Sequence, residues 1–418
     1  MKRNRPLPSA AALLAPFLGV VARAQGTASG VGPAAFGPVA LLAGALVLLA
    51  AGVYLAWRRL GRDPKGVTIP RFEPPAGVSA ALAAYLRDRA ATSRVFTAAV
   101  AELAARGFVQ VVGGPKPRID RAARRPEEPL PLELHALMEA LLPQRRPQLE
   151  LGRENGEILL LARSELQRNL ARVAADYLRP NERATVAVAL LTSLAIALAA
   201  GLAYGRYEAA ILAGVGSLAY VHVGKLALRS AVLSWERHLL VPGQGRPDAL
   251  ARAAANLLLV LLGPILGGYG LGLAAGATAG LLAAFVLLVG AEVAYLLPAF
   301  TPEGARVWRH LQGLARYLGA TDERELRRLG APEDAPETLR RLYPYAIALG
   351  VESRFASRLA RYLDRFPEQA SAALLWDTGP ESYPRMPGRY TYSLGVSRSL
   401  HRAYQEAGAY TPRLPRGR

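Results

Sequence analysis

The sequence predicts a mainly α fold: a polytopic α-helical membrane protein with a winged-helix-like cytoplasmic domain and a C-terminal helical cytoplasmic domain. Three observations carry that prediction. Hydrophobic residues fill 52% of the 418 positions while the formal net charge is +19, so apolar and charged residues must be segregated along the chain. Uncharged stretches of bilayer-crossing length recur. Of the 51 lysines and arginines, four precede Ala24, and Arg206 alone falls in a segment placed outside. The rest gather in segments on one side, and such an excess marks the cytoplasmic face. The absence of cysteine excludes disulfides, thiolate catalysis and Cys-ligated metals.

The elements follow in order. Residues 1–24 read as a signal peptide: Lys2, Arg3 and Arg5, an apolar run from Ala10 to Ala22, and small residues at Ala22-Arg23-Ala24. An uncleaved anchor is the other reading, and both send the next segment outward. Residues 34–57 are uncharged and end at Trp57-Arg58-Arg59, an outside-to-inside span. Residues 184–223 hold two spans, Ala184–Tyr204 and a short Ala209–Val223, joined by a turn at Gly205–Glu208. Residues 224–252 form an amphipathic linker, read as a helix in the headgroup plane or packed on protein.

Residues 253–297 read as a transmembrane hairpin. The run is too long for one span, and Gly267-Gly268-Tyr269-Gly270 is the expected turn. Pro264 keeps a re-entrant segment open. The charge ledger agrees: residues 58–183 carry 22 basic and 15 acidic side chains, and residues 298–418 carry 19 and 13.

Within residues 58–183, Ser79 caps a helix to about Arg89 and a second helix runs from about Ser93 to Arg106. Phe108–Val112 and Pro117–Asp120 form a hairpin. Helix, helix, hairpin is a winged-helix pattern. The second helix offers only Arg94, Glu102 and Arg106, too few base-reading side chains, so sequence-specific DNA is not the expected partner. The basic run Lys116, Arg118, Arg121, Arg124 and Arg125 reads as an anionic-lipid contact, a phosphate contact or a solvated loop. A helix near 131–142, a strand at Gln148–Leu151 and a long helix from about Asn155 to Leu178 follow. Residues 298–366 form a second helical domain, with Thr301 and Thr321 as caps and a proline-started apolar helix in Leu342–Gly350. Residues 367–418 read as a loosely ordered tail.

Three blocks carry a family likeness: Gly61-Arg62-Asp63-Pro64 through Leu103-Ala104-Ala105-Arg106-Gly107-Phe108, then Phe300-Thr301-Pro302-Glu303-Gly304-Ala305 with Gly313-Leu314-Ala315-Arg316-Tyr317-Leu318, then Leu342–Glu352. Together they resemble the bacterial predicted-membrane-protein family named domain of unknown function 2207. The resemblance implies the architecture above and assigns no catalytic residue. It also implies an extracytoplasmic β-rich domain after the signal, whereas about ten residues stand there in this sequence. The family's Gly/Ser-rich tail is missing too.

Motifs for chemistry are scarce. There is no phosphate-binding Gly-x4-Gly-Lys, no His-Glu-x-x-His, and the five histidines are scattered. No enzyme activity, cofactor or metal is expected. Two intramembrane ionisable residues, Glu292 and His222, are weak candidates for a solute path or for an interfacial role. Gly272, Gly276 and Gly280 repeat every fourth position and read as one helix face for close packing, with Ala283 off that face. The functional expectation is a membrane-anchored interaction or regulatory scaffold contacting the bilayer and protein partners. A small-solute transporter is the alternative.

Overall fold

The computed structural model describes residues 38–45, 47–48, 51–52, 69–112, 117–122, 129–179, 181–240, 247–366, 397 and 400–401. The expected signal peptide, much of the first span and nearly all of the tail lie outside these residues. The chain divides into two units. Residues 1–63 and 179–299 form a span unit; residues 64–178 and 300–418 form a mixed unit.

The mixed unit begins with α1 (Ala80–Asp88), capped where Ser79 Oγ accepts the Leu82 N–H at 3.0 Å. Arg89 ends it in the left-handed region. Helix α2 (Ser93–Ala105) follows. Strands β1 (Val109–Val112), β2 (Arg118–Arg121) and β3 (Gln148–Glu150) form an antiparallel sheet in that order. Val111 faces Ile119, and Ile119 faces Leu149, so the buried side of each strand is apolar. Helices α3 (Leu132–Leu141) and α4 (Gly156–Ala174) pack on each other. The expected helix–helix–hairpin order is present, with a third strand added.

The span unit holds α5 (Glu182–Tyr204), α6 (Tyr207–Leu240), α7 (Pro247–Ala275) and α8 (Ala277–Leu296). All four are long and apolar enough to cross a membrane. Helix α8 is central: 56% of its apolar window is buried, against 22–28% for the others. Of the expected first span, residues 38–45, 47–48 and 51–52 are helical, and Leu42 is fully buried in this unit's core.

Two expectations are corrected here. The short third span and the headgroup-plane helix are one continuous helix, α6, because nothing between 223 and 226 breaks it. The hairpin turn lies at Gly276, not at Gly267–Gly270. Gly276 takes φ 87°, which a side chain disfavours, while the earlier glycines stay helical. Pro264 also stays inside α7. A proline leaves the carbonyl four residues earlier without its donor. That carbonyl is Val260, and the Tyr220 hydroxyl donates to it at 2.7 Å. Tyr220 fits because Gly263 leaves room for its ring. Three further bonds tie spans together: Ser193 Oγ to Gly214 O (2.6 Å), Tyr204 Oη to Gly270 O (2.6 Å) and Asn256 Nδ2 to Ser230 Oγ (3.0 Å). In lipid, where apolar burial does not drive helices together, such bonds and close packing do.

The chain re-enters the mixed unit as α9 (Pro302–Leu318), α10 (Glu323–Leu329), α11 (Pro336–Ala348) and α12 (Glu352–Arg365). Asp322, not Thr321, caps α10, accepting the Arg324 N–H. Helix α11 starts at Pro336 and carries Pro344 inside it.

The two expected cytoplasmic domains share one core. The reason is visible in α2. Every residue from Ser93 to Ala104 except Arg94 is buried, so the helix needs partners on all sides. Helices α1 and α11 supply them. Burial of side chains such as Phe96, Leu103, Tyr343 and Phe355 contributes roughly 1.5–3 kcal/mol each. Of the expected tail, residues 397, 400 and 401 are described, and Leu400 is fully buried in this core.

Candidate functional site

The polar chemistry of the mixed unit concentrates where α1 begins. Ser79 Oγ donates to Glu133 Oε1 at 2.5 Å, and the Ala80 N–H donates to Glu102 Oε2 at 2.6 Å. The Arg106 guanidinium pairs with Glu102 at 2.9 Å. Above them the Tyr345 hydroxyl donates to Val78 O at 2.8 Å. Glu102 and Glu133 are 3% and 2% exposed, which removes them from substrate as well as from water.

Burial pushes the Glu102 carboxyl above the usual carboxylate range; Arg106 and the Ala80 N–H pull it back. Burial, aided by the charge of Glu102, pushes the Tyr345 phenol well up. Among the described residues, no buried side-chain nitrogen or oxygen of this set is left without a hydrogen-bond partner. The cluster is a polar joint between α1, α2, α3 and α11. No motif announced it, although a glutamate inside an apolar helix was the available signal.

A second joint lies on α12. Arg358 is 4% exposed, bonds both carboxylate oxygens of Asp334 and the Tyr317 hydroxyl, and stacks 4.7 Å over the Tyr317 ring. Burial works against its charge, but Asp334 and Tyr317 more than offset that, and its pKa is raised.

A third joint explains the Phe300–Ala305 block. The Thr301 N–H donates to Tyr177 O at 3.0 Å, and its hydroxyl donates to Asp176 O at 2.7 Å while accepting the Gly304 N–H at 2.9 Å. A Cβ at Gly304 would fall on the Tyr177 carbonyl. Phe300 stacks on Trp308 and receives Arg89 over its ring.

The residues singled out from sequence fare differently. Arg121 is turned inward, donating to Leu142 O and pairing with Glu139. Arg118 pairs with Asp120 at 2.8 Å. Lys116, Arg124 and Arg125 lie outside the described residues. Arg94 pairs with Asp88 at 2.9 Å. His222 and Glu292 are exposed on the span unit's outer surface. Among the described residues, the buried polar side chains of the spans are Thr192 and Ser217, neither ionisable.

The glycine reading is half corrected. Gly272 and Gly280 do meet, but across the hairpin and not along one helix, since Gly276 is the turn. Gly280 also lies against the Gly268 carbonyl. Ala283, expected off that face, is itself 1% exposed.

Sequence reasoning missed one surface feature. A groove of about 780 Å³ lies between α3 and α4, lined by Ala140, Pro143, Ile158 and Leu161 beside Glu139, Arg146 and Glu157. Leu161 is 53% exposed there. Among the described residues no His, Asp or Glu cluster could hold a metal ion.

No curated protein and no solved structure matches the chain. The C-terminal domain of a predicted-membrane-protein family, domain of unknown function 2207, matches residues 68–359. That range takes in residues of both halves of the mixed unit and all four spans between them, and on it the chain belongs to this family.

Proposed function

We propose that this protein is a membrane-anchored interaction or regulatory scaffold of the inner membrane. Its mixed unit lies in the cytoplasm, and the first half of that unit is winged-helix-like. One observation carries the reading: residues 64–178 and 300–366, separated by four spans, share a single core. Two segments with one core lie on one side of the bilayer, and an even number of spans returns the chain there. The excess of basic residues in both segments makes that side the cytoplasm.

The partner is a protein, contacted through surfaces such as the Leu161 groove. Helix α2 is buried by its own unit, which supports the reading against base readout. The inward-facing Arg121 weakens the lipid reading of the basic run. Among the described residues the buried polar side chains of the spans are uncharged, with Glu292 and His222 on the outside, which supports scaffold over transporter.

The chain has no cysteine, so single-cysteine labelling tests the placement cleanly. An impermeant maleimide on spheroplasts should label the Arg206→Cys variant and spare the Ser164→Cys and Glu325→Cys variants until the membrane is opened. Labelling of either of the latter in intact spheroplasts sinks the topology. The scaffold role itself predicts protein enrichment when the solubilised chain is purified from membranes. Solute flux through proteoliposomes, with no protein enriched over a mock purification, would replace it with transport.

A further inference from the structure

Two ionisable side chains of the spans face the wrong way for a lone copy. His222 belongs to the apolar stretch Tyr207–Val232 and Glu292 to Ala277–Leu296, and both are exposed. Ionisable residues within spans are rare, and almost always face a bundle interior and pair there. Among the described residues, neither of these two makes a hydrogen bond or an ion pair. The Tyr220 hydroxyl, on the same stretch of α6, gives its hydrogen to Val260 O. Val223, Leu226 and Leu296 are exposed close by in the sequence, a surface suited to acyl chains, which offer no polar partner.

The two residues also share a level. Successive spans alternate in direction, so α6 and α8 run the same way. They are level where a Cβ on Gly224 would meet the Ala291 Cβ at 3.1 Å. His222 stands two residues before that point on α6, and Glu292 one residue after it on α8. At 1.5 Å per residue their depths differ by about 4.5 Å, within reach of the two side chains.

We propose that this exposed surface of the spans binds a second copy of the chain, with His222 of one copy donating to Glu292 of the other. Copies inserted the same way up are related by rotation about the membrane normal, which leaves depth unchanged. Self-association therefore brings an imidazole N–H to a carboxylate at its own level. Even a neutral imidazole carries one such hydrogen, and a carboxylate accepts it. A second copy thus answers both orphaned groups with one contact, and in lipid such bonds hold helices together. Pairing needs only that the spans lie in lipid, so it stands or falls apart from the scaffold role.

The test uses the full chain in phosphatidylcholine vesicles. The chain lacks cysteine, so Ser164→Cys carries a donor dye in one batch and an acceptor dye in another. Energy transfer is followed as the ratio of protein to lipid rises. The chain with both His222 and Glu292 should associate at least about threefold more tightly than the His222→Leu chain or the Glu292→Leu chain. An equal mixture of those two variants keeps one imidazole facing one carboxylate, so it should transfer more strongly than either variant alone. That rescue also excludes misfolding as the cause of the loss. Absence of concentration-dependent transfer in the chain with both residues overturns the proposal. So does undiminished association of either variant, or a mixture no better than the variants alone.

Discussion

Gly280→Leu is expected to abolish the native span unit. A Cβ at this position sits 2.5 Å from the Gly268 carbonyl oxygen and 2.9 Å from Gly272 Cα. All of these are backbone atoms of the opposing hairpin helix, so no side-chain rotation relieves the clash. The helices must separate, and every contact between α7 and α8 loosens with them. The cost lies at or beyond the ~3 kcal/mol top of ordinary overpacking penalties. Gly270 provides the comparison, since nothing lies within 4 Å of a Cβ there. Gly270→Leu replaces a poor helix former and should be neutral or slightly stabilising. Thermal unfolding in detergent, followed by loss of the monodisperse peak, reads both. Similar midpoints for the two variants would mean that the close crossing is unimportant.

Arg358→Ala should cost roughly 3 kcal/mol in the mixed unit. The pair it breaks is nearly dry on the arginine side, and Asp334 and the Tyr317 hydroxyl lose their partner together. Removing one member of a buried pair strands the other, which is why the penalty exceeds the net worth of the bond. Arg365→Ala is the contrast. Its pair with Glu323 has side chains 68% and 59% exposed, and water screens it to under about 1 kcal/mol. The expected difference in thermal midpoint is roughly 6–12 °C for Arg358→Ala and a degree or two for Arg365→Ala. A shift for Arg358→Ala no larger than for Arg365→Ala would show that the joint does not hold α12 in place.

Local patterns were legible where one short-range rule sufficed. Ser79 and Thr301 cap their helices because each hydroxyl needs only the N–H three residues on, at Leu82 and Gly304. The hairpin expected at Phe108–Val112 and Pro117–Asp120, from a β-prone run followed by Gly113-Gly114-Pro115 in the sequence, is found at Val109–Val112 and Arg118–Arg121. What was not legible depended on partners distant in the chain. The glycines at 267, 268 and 270 looked like a turn, because their helical state depends on Gly280 and Tyr204 across the unit. Thr321 looked like a cap, but the neighbouring Asp322 took the role. Arg121 looked solvent-facing until Leu142 O supplied an acceptor 21 positions away. The single core of the mixed unit was hidden because α2 and α11 lie more than two hundred residues apart, with four spans between.

That interruption has a consequence for how the protein is made. Residues 64–178 leave the ribosome with α2 still lacking α11, so an apolar face stays open. About 120 residues of membrane helices must be synthesised and inserted before the missing half emerges. At ribosomal speeds of 5–20 residues per second this takes roughly 6–24 s, long compared with the folding time of a small domain. During that window the nascent half-domain exposes apolar surface of the kind that chaperones and proteases engage. Insertion of the last span and closure of the core become successive gates in a single assembly line, and a chain whose hairpin fails to insert is left with its half-domain open to degradation.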